Sequence, residues 1–84
     1  MEFKVYIIHN KDRDKYYIGQ TYDLEKRILE HNSGLSNFTS KYKGIWEVVY
    51  TEIYTTRTEA IKREIFLKKQ KNKDFYKRLC KMDD

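Results

Sequence analysis

The sequence predicts an α+β fold in which a small three-stranded antiparallel sheet is covered by helices, in the order ββαβαα. Three observations carry that expectation. Two runs rich in β-branched and aromatic residues, F-K-V-Y-I-I-H over 3–9 and K-Y-Y-I-G over 15–19, flank a short polar stretch. A third such run, W-E-V-V-Y-T-E-I-Y, occupies 46–54. Apolar residues at helical spacing, each set preceded by a helix-start signal, fill the segments after the second and third runs.

The first element alternates Phe3, Val5 and Ile7 against Lys4, Tyr6 and Ile8, as a strand should. Asn10-Lys11-Asp12-Arg13-Asp14 is a turn, so the first two runs form a β-hairpin. Asp23 is placed to cap a helix over about 24–32, and Ser33-Gly34 supplies the usual C-terminal stop. Residues 35–45 are polar and irregular and make the longest loop. After the third strand, Thr56 and Glu59 have capping-box spacing and open a helix of roughly 57–70. Phe75, Leu79 and Met82 mark a last helix over about 73–82. Such alternation of sheet and helix gives a layered α+β architecture.

Length and composition bound what this chain can be. Its 84 residues suit one domain, 1–84, with a thin core, and its 39% hydrophobic and 15% aromatic content argues against global disorder. Tyrosine is abundant at 8 residues, a side chain suited to half-buried positions near a wet site. The net charge of +5 and pI near 9.3 favour polyanionic partners. Cys80 is the only cysteine, which excludes an intramolecular disulfide and a cysteine-based zinc site. No apolar run approaches the ~20 residues that span a membrane. The N-terminus lacks a signal-peptide pattern, so a cytoplasmic protein is expected.

Several residues are poorly explained by packing alone. Ala60, Ile61, Ile65 and Leu67 define an apolar arc on the fifth element, and Glu64 falls near its middle. A carboxylate there must be paired, hydrated or bound to a cation, because burying it alone is very costly. An ion pair with Arg57 or Arg27, a metal ligand, and exposure at a cleft edge all satisfy that demand. On the first helix, Leu24 and Ile28 face inward, with Arg27 and His31 one turn apart on the stripe's edge. Two such groups side by side do not stabilise a helix. They suit bidentate phosphate recognition and proton transfer near neutral pH, or else they simply cover the core's rim.

If the hairpin closes across residues 9 and 14, Tyr6 and Tyr17 stand directly opposite one another on one face. That arrangement serves either a core aromatic pair or a site with two phenols. Gly19, in a strand where glycine is disfavoured, implies close approach of a backbone or a ligand.

Together these residues resemble the GIY-YIG nuclease family, in particular its compact bacterial single-domain members. Lys4-Val5-Tyr6 and Tyr17-Ile18-Gly19 match the two namesake motifs. Gly19-Gln20-Thr21, Asp23-Leu24-Glu25-Lys26-Arg27 and Glu30-His31-Asn32-Ser33-Gly34 follow the family's first helix region. Trp46-Glu47-Val48-Val49-Tyr50, Thr56-Arg57, Glu59-Ala60 and Lys62-Arg63-Glu64 resemble its third strand and metal-binding helix. The likeness runs from Phe3 to about Lys69, and Lys4 stands where the family has a glycine.

The resemblance implies a metal-dependent endonuclease acting on duplex or branched DNA. Tyr6 and Tyr17 would line the cleft, one of them as phenolate general base, since nearby cations would favour the ionised form. Arg27 would hold the scissile phosphate, and His31 would assist proton transfer or positioning. Glu64 would anchor one divalent cation, Mg²⁺ or Mn²⁺. Asn72 is the nearest match to a family asparagine beyond that helix.

Substrate binding would fall to the domain's own surface. Gly19 and Asn72 would lie beside the nucleic acid, with Lys68, Lys69, Lys71 and Lys73 at the junction of the last helices and Lys41 and Lys43 in the long loop. Such lysines position a backbone without reading bases, or they are a solvated face. Two other functions share this pattern: a non-catalytic nucleic-acid-binding module, and a catalytic subunit that needs a partner protein.

Overall fold

The structure, a computed structural model, describes residues 2–36, 39–42 and 44–82. Its elements are β1 (Phe3–Asn10), β2 (Lys15–Thr21), α1 (Leu24–Asn32), β3 (Trp46–Tyr54), α2 (Arg57–Gln70) and α3 (Lys73–Met82), with a 3-10 turn at Thr39–Lys41. The strands form one antiparallel sheet in the order β2-β1-β3. This is the expected ββαβαα arrangement. Among the described residues, no helix is long and apolar enough to cross a membrane.

The central strand is covered on both faces, which explains why Val5, Tyr6, Ile7 and Ile8 are all buried. Val5, Ile7 and Ile18 pack under α2 and α3 with Ala60, Leu67 and Tyr76. Tyr6, Ile8 and Trp46 form the opposite core, closed by Tyr17, Leu24, Ile28 and Tyr42. On α3, Phe75 and Leu79 pack as their spacing predicts, although Tyr76 is the more deeply buried. The Met82 side chain lies outside the described residues.

Local signals set the helix boundaries. Asp23 caps α1 by accepting from the Lys26 amide at 3.2 Å. Thr56 does the same for α2 through the Glu59 amide at 3.2 Å, while the Glu59 carboxylate accepts from the Thr56 hydroxyl at 2.9 Å. No glycine ends α2: Lys71 takes the left-handed conformation instead, at φ 47°. The long loop is tied down by Asn32, whose side-chain amide accepts from the Trp46 amide at 2.8 Å and donates to the Trp46 carbonyl at 3.2 Å. One side chain thus pairs with the first residue of β3 as a neighbouring strand would.

Two expectations need correction. The hairpin closes across Asn10 and Lys15, not across 9 and 14, so Tyr6 faces Gly19 and Tyr17 faces Ile8. Asn10 joins β1, so the polar turn starts one residue later and runs over 11–14, where Asp14 completes it with φ 49°. A shift of two residues in the paired sum preserves the face, so both tyrosines remain on the α1 side as diagonal neighbours.

The apolar arc on α2 is also rotated from the predicted one. Ala60 and Leu67 are buried, but Ile61 and Ile65 are 38% and 47% exposed. The sheet is narrow, and α2 meets it along Ala60, Arg63, Glu64 and Leu67. Arg63 is satisfied there by a two-pronged ion pair with Glu52, at 2.9 and 3.0 Å. Glu52 also accepts from the hydroxyls of Tyr54, at 2.6 Å, and of Tyr50. Burial opposes its charge, but these donors outweigh that cost and hold its carboxyl below the usual range.

Replacing Asn32 by Ala leaves the Trp46 amide without its partner, so a loss of about 1–3 kcal/mol is expected. Urea unfolding of the variant measures it, and an unchanged midpoint would show that the Asn32 bridge contributes nothing.

Candidate active site

Tyr6 is the floor of the site, only 1% exposed. Its hydroxyl lies 2.9 Å from His31 Nε2, and His31 Nδ1 lies 2.9 Å from Thr39 Oγ1. His31 is therefore not a rim residue: it is 2% exposed, with both ring nitrogens engaged by hydroxyls. Burial, aided by the charge of Arg27, lowers its pKa to about 4, so the imidazole is neutral at pH 7. A neutral imidazole donates through one nitrogen and accepts through the other, so Tyr6, His31 and Thr39 form a chain with a single direction.

Tyr17 closes the same face at the sheet's edge. Its ring centroid lies 6.4 Å from that of Tyr6 and 4.9 Å from that of His31, edge-on to the imidazole. Arg27 projects from α1 over these groups, 31% exposed, and donates to Glu30 at 3.1 Å. Burial works against its charge, yet its bond to Glu30 and the nearby phenols of Tyr6 and Tyr17 raise its pKa above the ordinary value.

The tyrosines are not equivalent, as the resemblance had left open. Burial raises the Tyr6 pKa to about 12 despite Arg27, with the charges of Tyr17 and Glu64 adding to the effect. That is opposite to the shift expected of a phenolate base. Tyr6 is held neutral and out of water, whereas Tyr17 is half-buried at the cleft wall.

Glu64 reaches the cleft from α2, 17% exposed, close enough for its charge to act on Tyr6. Its partner is neither Arg57 nor Arg27 but Lys68, one turn later, at 2.8 Å. The same ammonium lies 5.7 Å from the Tyr17 ring centroid. Among the described residues, no three His, Cys, Asp or Glu side chains converge. The donor set therefore fits a hard cation that keeps most of its water and takes one carboxylate from the protein, and it does not fit a closed cage. Lys68 holds Glu64 Oε2 and would compete with that cation for the oxygen.

Gly19 is buried, and the space beside it is filled by Tyr6. A Cβ at Gly19 would stand 2.5 Å from Tyr6 Oη and 2.7 Å from Cζ. The close approach read from the sequence is therefore that of a side chain from the neighbouring strand. Asn72 caps α3, accepting from the amides of Asp74 and Phe75 at 2.9 and 3.2 Å. Lys68, Lys71 and Lys73 gather beside β2, Lys73 paired with Asp14 at 3.3 Å. Lys41 is exposed at the end of the 3-10 turn, Lys69 is exposed on α2, and Lys43 lies outside the described residues. Sequence reasoning missed Thr39 and Glu30. Glu30 was legible as the i+3 partner of Arg27, whereas nothing local marks Thr39.

The model of the GIY-YIG catalytic domain matches residues 2–78. The chain belongs to the GIY-YIG family. Membership places it in an endonuclease superfamily. It is 39% identical over 64 residues to a UPF0213 protein of Staphylococcus saprophyticus, covering 76% of this chain and 77% of that one. It is 34% identical over 73 residues to the UPF0213 protein YazA of Bacillus subtilis, covering 84% and 73%. The solution NMR structure of a UPF0213 protein from Bacillus halodurans superposes with a TM-score of 0.58 at 28% identity, over 98% of this chain and 85% of that one.

Two measurements test the GIY-YIG site as described. Gly19→Ala forces the Tyr6 phenol off His31, and a loss of about 1–3 kcal/mol is expected from such overpacking. Thermal unfolding reads it, and an unshifted transition would show that the pocket relaxes freely. For His31, whose native pKa lies below its ordinary 6.5, the unfolded chain takes up a proton that the native state refuses. Its contribution is complete above about pH 6.5 and is lost as pH falls toward about 4. The stability gap between wild type and His31→Gln should shrink by about 3 kcal/mol over that window. A gap independent of pH would contradict a buried neutral imidazole.

Proposed function

We propose that this chain is a metal-dependent endonuclease that hydrolyses DNA phosphodiester bonds. The observation that carries the reading is the position of Arg27, whose guanidinium acts on both phenols beside a carboxylate, Glu64, near enough to act on Tyr6. Arg27 binds the scissile phosphate in this reading and stabilises the charge that builds on it.

Tyr17, at the cleft wall, acts as its phenolate: it takes a proton from the attacking water, becoming the neutral phenol, as the water oxygen bonds to phosphorus. The bond from phosphorus to the departing sugar oxygen breaks, and that oxygen takes its proton from solvent. Tyr6 does not exchange protons with substrate. Through its bond to His31 it holds the floor of the cleft and keeps Arg27 aimed outward. Glu64 would hold one divalent cation, Mg²⁺ or Mn²⁺, which when bound polarises the phosphate and offsets charge on the departing oxygen.

The ion pair of Lys68 with Glu64 favours a second reading, in which the chain is a catalytic subunit that cuts only when a partner protein or the substrate draws Lys68 away.

Purified protein should nick DNA in the presence of Mg²⁺ or Mn²⁺ and not in EDTA. Arg27→Ala and Glu64→Ala should each lower the rate at least about 100-fold, the scale expected for removing a group that stabilises developing charge. Cleavage that survives Glu64→Ala would sink this site.

A further inference from the structure

Beside the cleft, a groove of about 410 Å³ runs along the free edge of β2 and under the junction of α2 with α3. Its floor is apolar and aromatic. Tyr16 and Ile18 line one side and Tyr76 the other, with the Tyr16 and Tyr76 rings 5.5 Å apart. Tyr16 also lies against His9 at 4.5 Å, so its ring is fixed in place. The rim is basic, formed by Lys15, Lys68, Lys71 and Lys73. Two of these already face carboxylates, Lys68 with Glu64 and Lys73 with Asp14. Lys15 and Lys71 have no carboxylate within 4.0 Å among the described residues. Tyr17 belongs both to this groove and to the wall of the cleft, so the two are continuous.

We propose that this groove binds an unpaired strand of nucleic acid, seating a base against the half-buried Tyr16 ring, which the buried Tyr76 backs, and its flanking phosphates on the lysine rim. The inference rests on the nuclease reading and narrows its substrate. A duplex keeps its bases stacked inside and offers only phosphates outward, which leaves an apolar concave floor unfilled. An unpaired strand offers both groups the groove can use: a π-face for the aromatic floor and a charge for the rim. The volume lies within the roughly 300–1,000 Å³ of pockets that hold organic ligands, so a base with its sugar fits. A peptide added as a fourth strand along β2 would use the same edge, but it has no need of four lysines.

Binding is measured by fluorescence polarisation of a dye-labelled oligothymidylate of about 12 nucleotides, within the span such sites cover. The buffer contains EDTA, so no cleavage is involved. The single strand should bind at least about tenfold more tightly than a duplex hairpin of the same length. With four phosphate contacts, log K against log salt should have a slope of about −3 for single strands. Lys15→Glu with Lys71→Glu should weaken binding at least about tenfold and lower that slope toward about −1.5. Lys62→Glu with Lys81→Glu, an equal charge change outside the groove, should alter binding by less than about twofold, provided circular dichroism shows each variant folded.

Equal weakening by both pairs, preference for the duplex, or binding indifferent to salt would each overturn the proposal, the last pointing to a peptide edge. Failure of the nuclease reading is distinguishable. It appears as absence of cleavage when metal is restored to a protein that still binds the single strand through this groove. Cleavage that persists with no groove dependence overturns the groove alone.

Discussion

The hydrogen bond between the Tyr6 phenol and His31 joins the middle of the sheet to the end of α1, and most of the site is arranged around it. It brings two polar groups into a core, where an unpaired hydroxyl or imidazole would cost roughly 1–3 kcal/mol. The bond exists only because β2 carries no side chain at Gly19, which leaves room for the phenol. It is completed by Thr39 on the far nitrogen of the imidazole. A strand, a helix and a loop that are distant in sequence are therefore fixed relative to one another through three side chains. Arg27, four residues before His31, inherits its aim from this arrangement.

The same arrangement sets the electrostatics. Burial makes the imidazole neutral and the Tyr6 phenol reluctant to ionise, so charge in the cleft is concentrated on Arg27, Glu64 and Lys68. Arg27 is held by its contact with Glu30, and Glu64 by the flexible ammonium of Lys68. Each charged group of the cleft is thus occupied by a neighbour of the right polarity and is not left bare in a low-dielectric pocket. Such partners exchange readily at a half-exposed site. Away from the cleft, Glu52 and Arg63 form a more fully satisfied network that clamps β3 to α2 and leaves the active face free.

Element boundaries were legible because their causes are local. Asp23 and Thr56 each satisfy amides within three residues, and the third strand and last two helices fall where the patterns put them. Tyr6, Tyr17, Arg27, His31 and Glu64 lie near one another, linked by a hydrogen bond, ring contacts or a field. The hairpin register was misplaced because it depends on which turn residue accepts a positive φ, and Asp14 does so. The partner of Glu64 was misplaced because several cations lay at plausible spacings and only packing chose Lys68.

By itself, the sequence determined the kinds and limits of the elements, the presence of a carboxylate and a guanidinium in places packing does not explain, and the family pattern that joins them. Periodicity and capping act over a few residues, so they are written into a linear chain. Only the tertiary structure decided which phenol is buried and which meets the cleft, that His31 is neutral, and that Gly19 makes room for Tyr6. Those outcomes depend on desolvation and on contacts between residues as far apart as Tyr6 and His31, or Tyr17 and Lys68, and no local pattern encodes them.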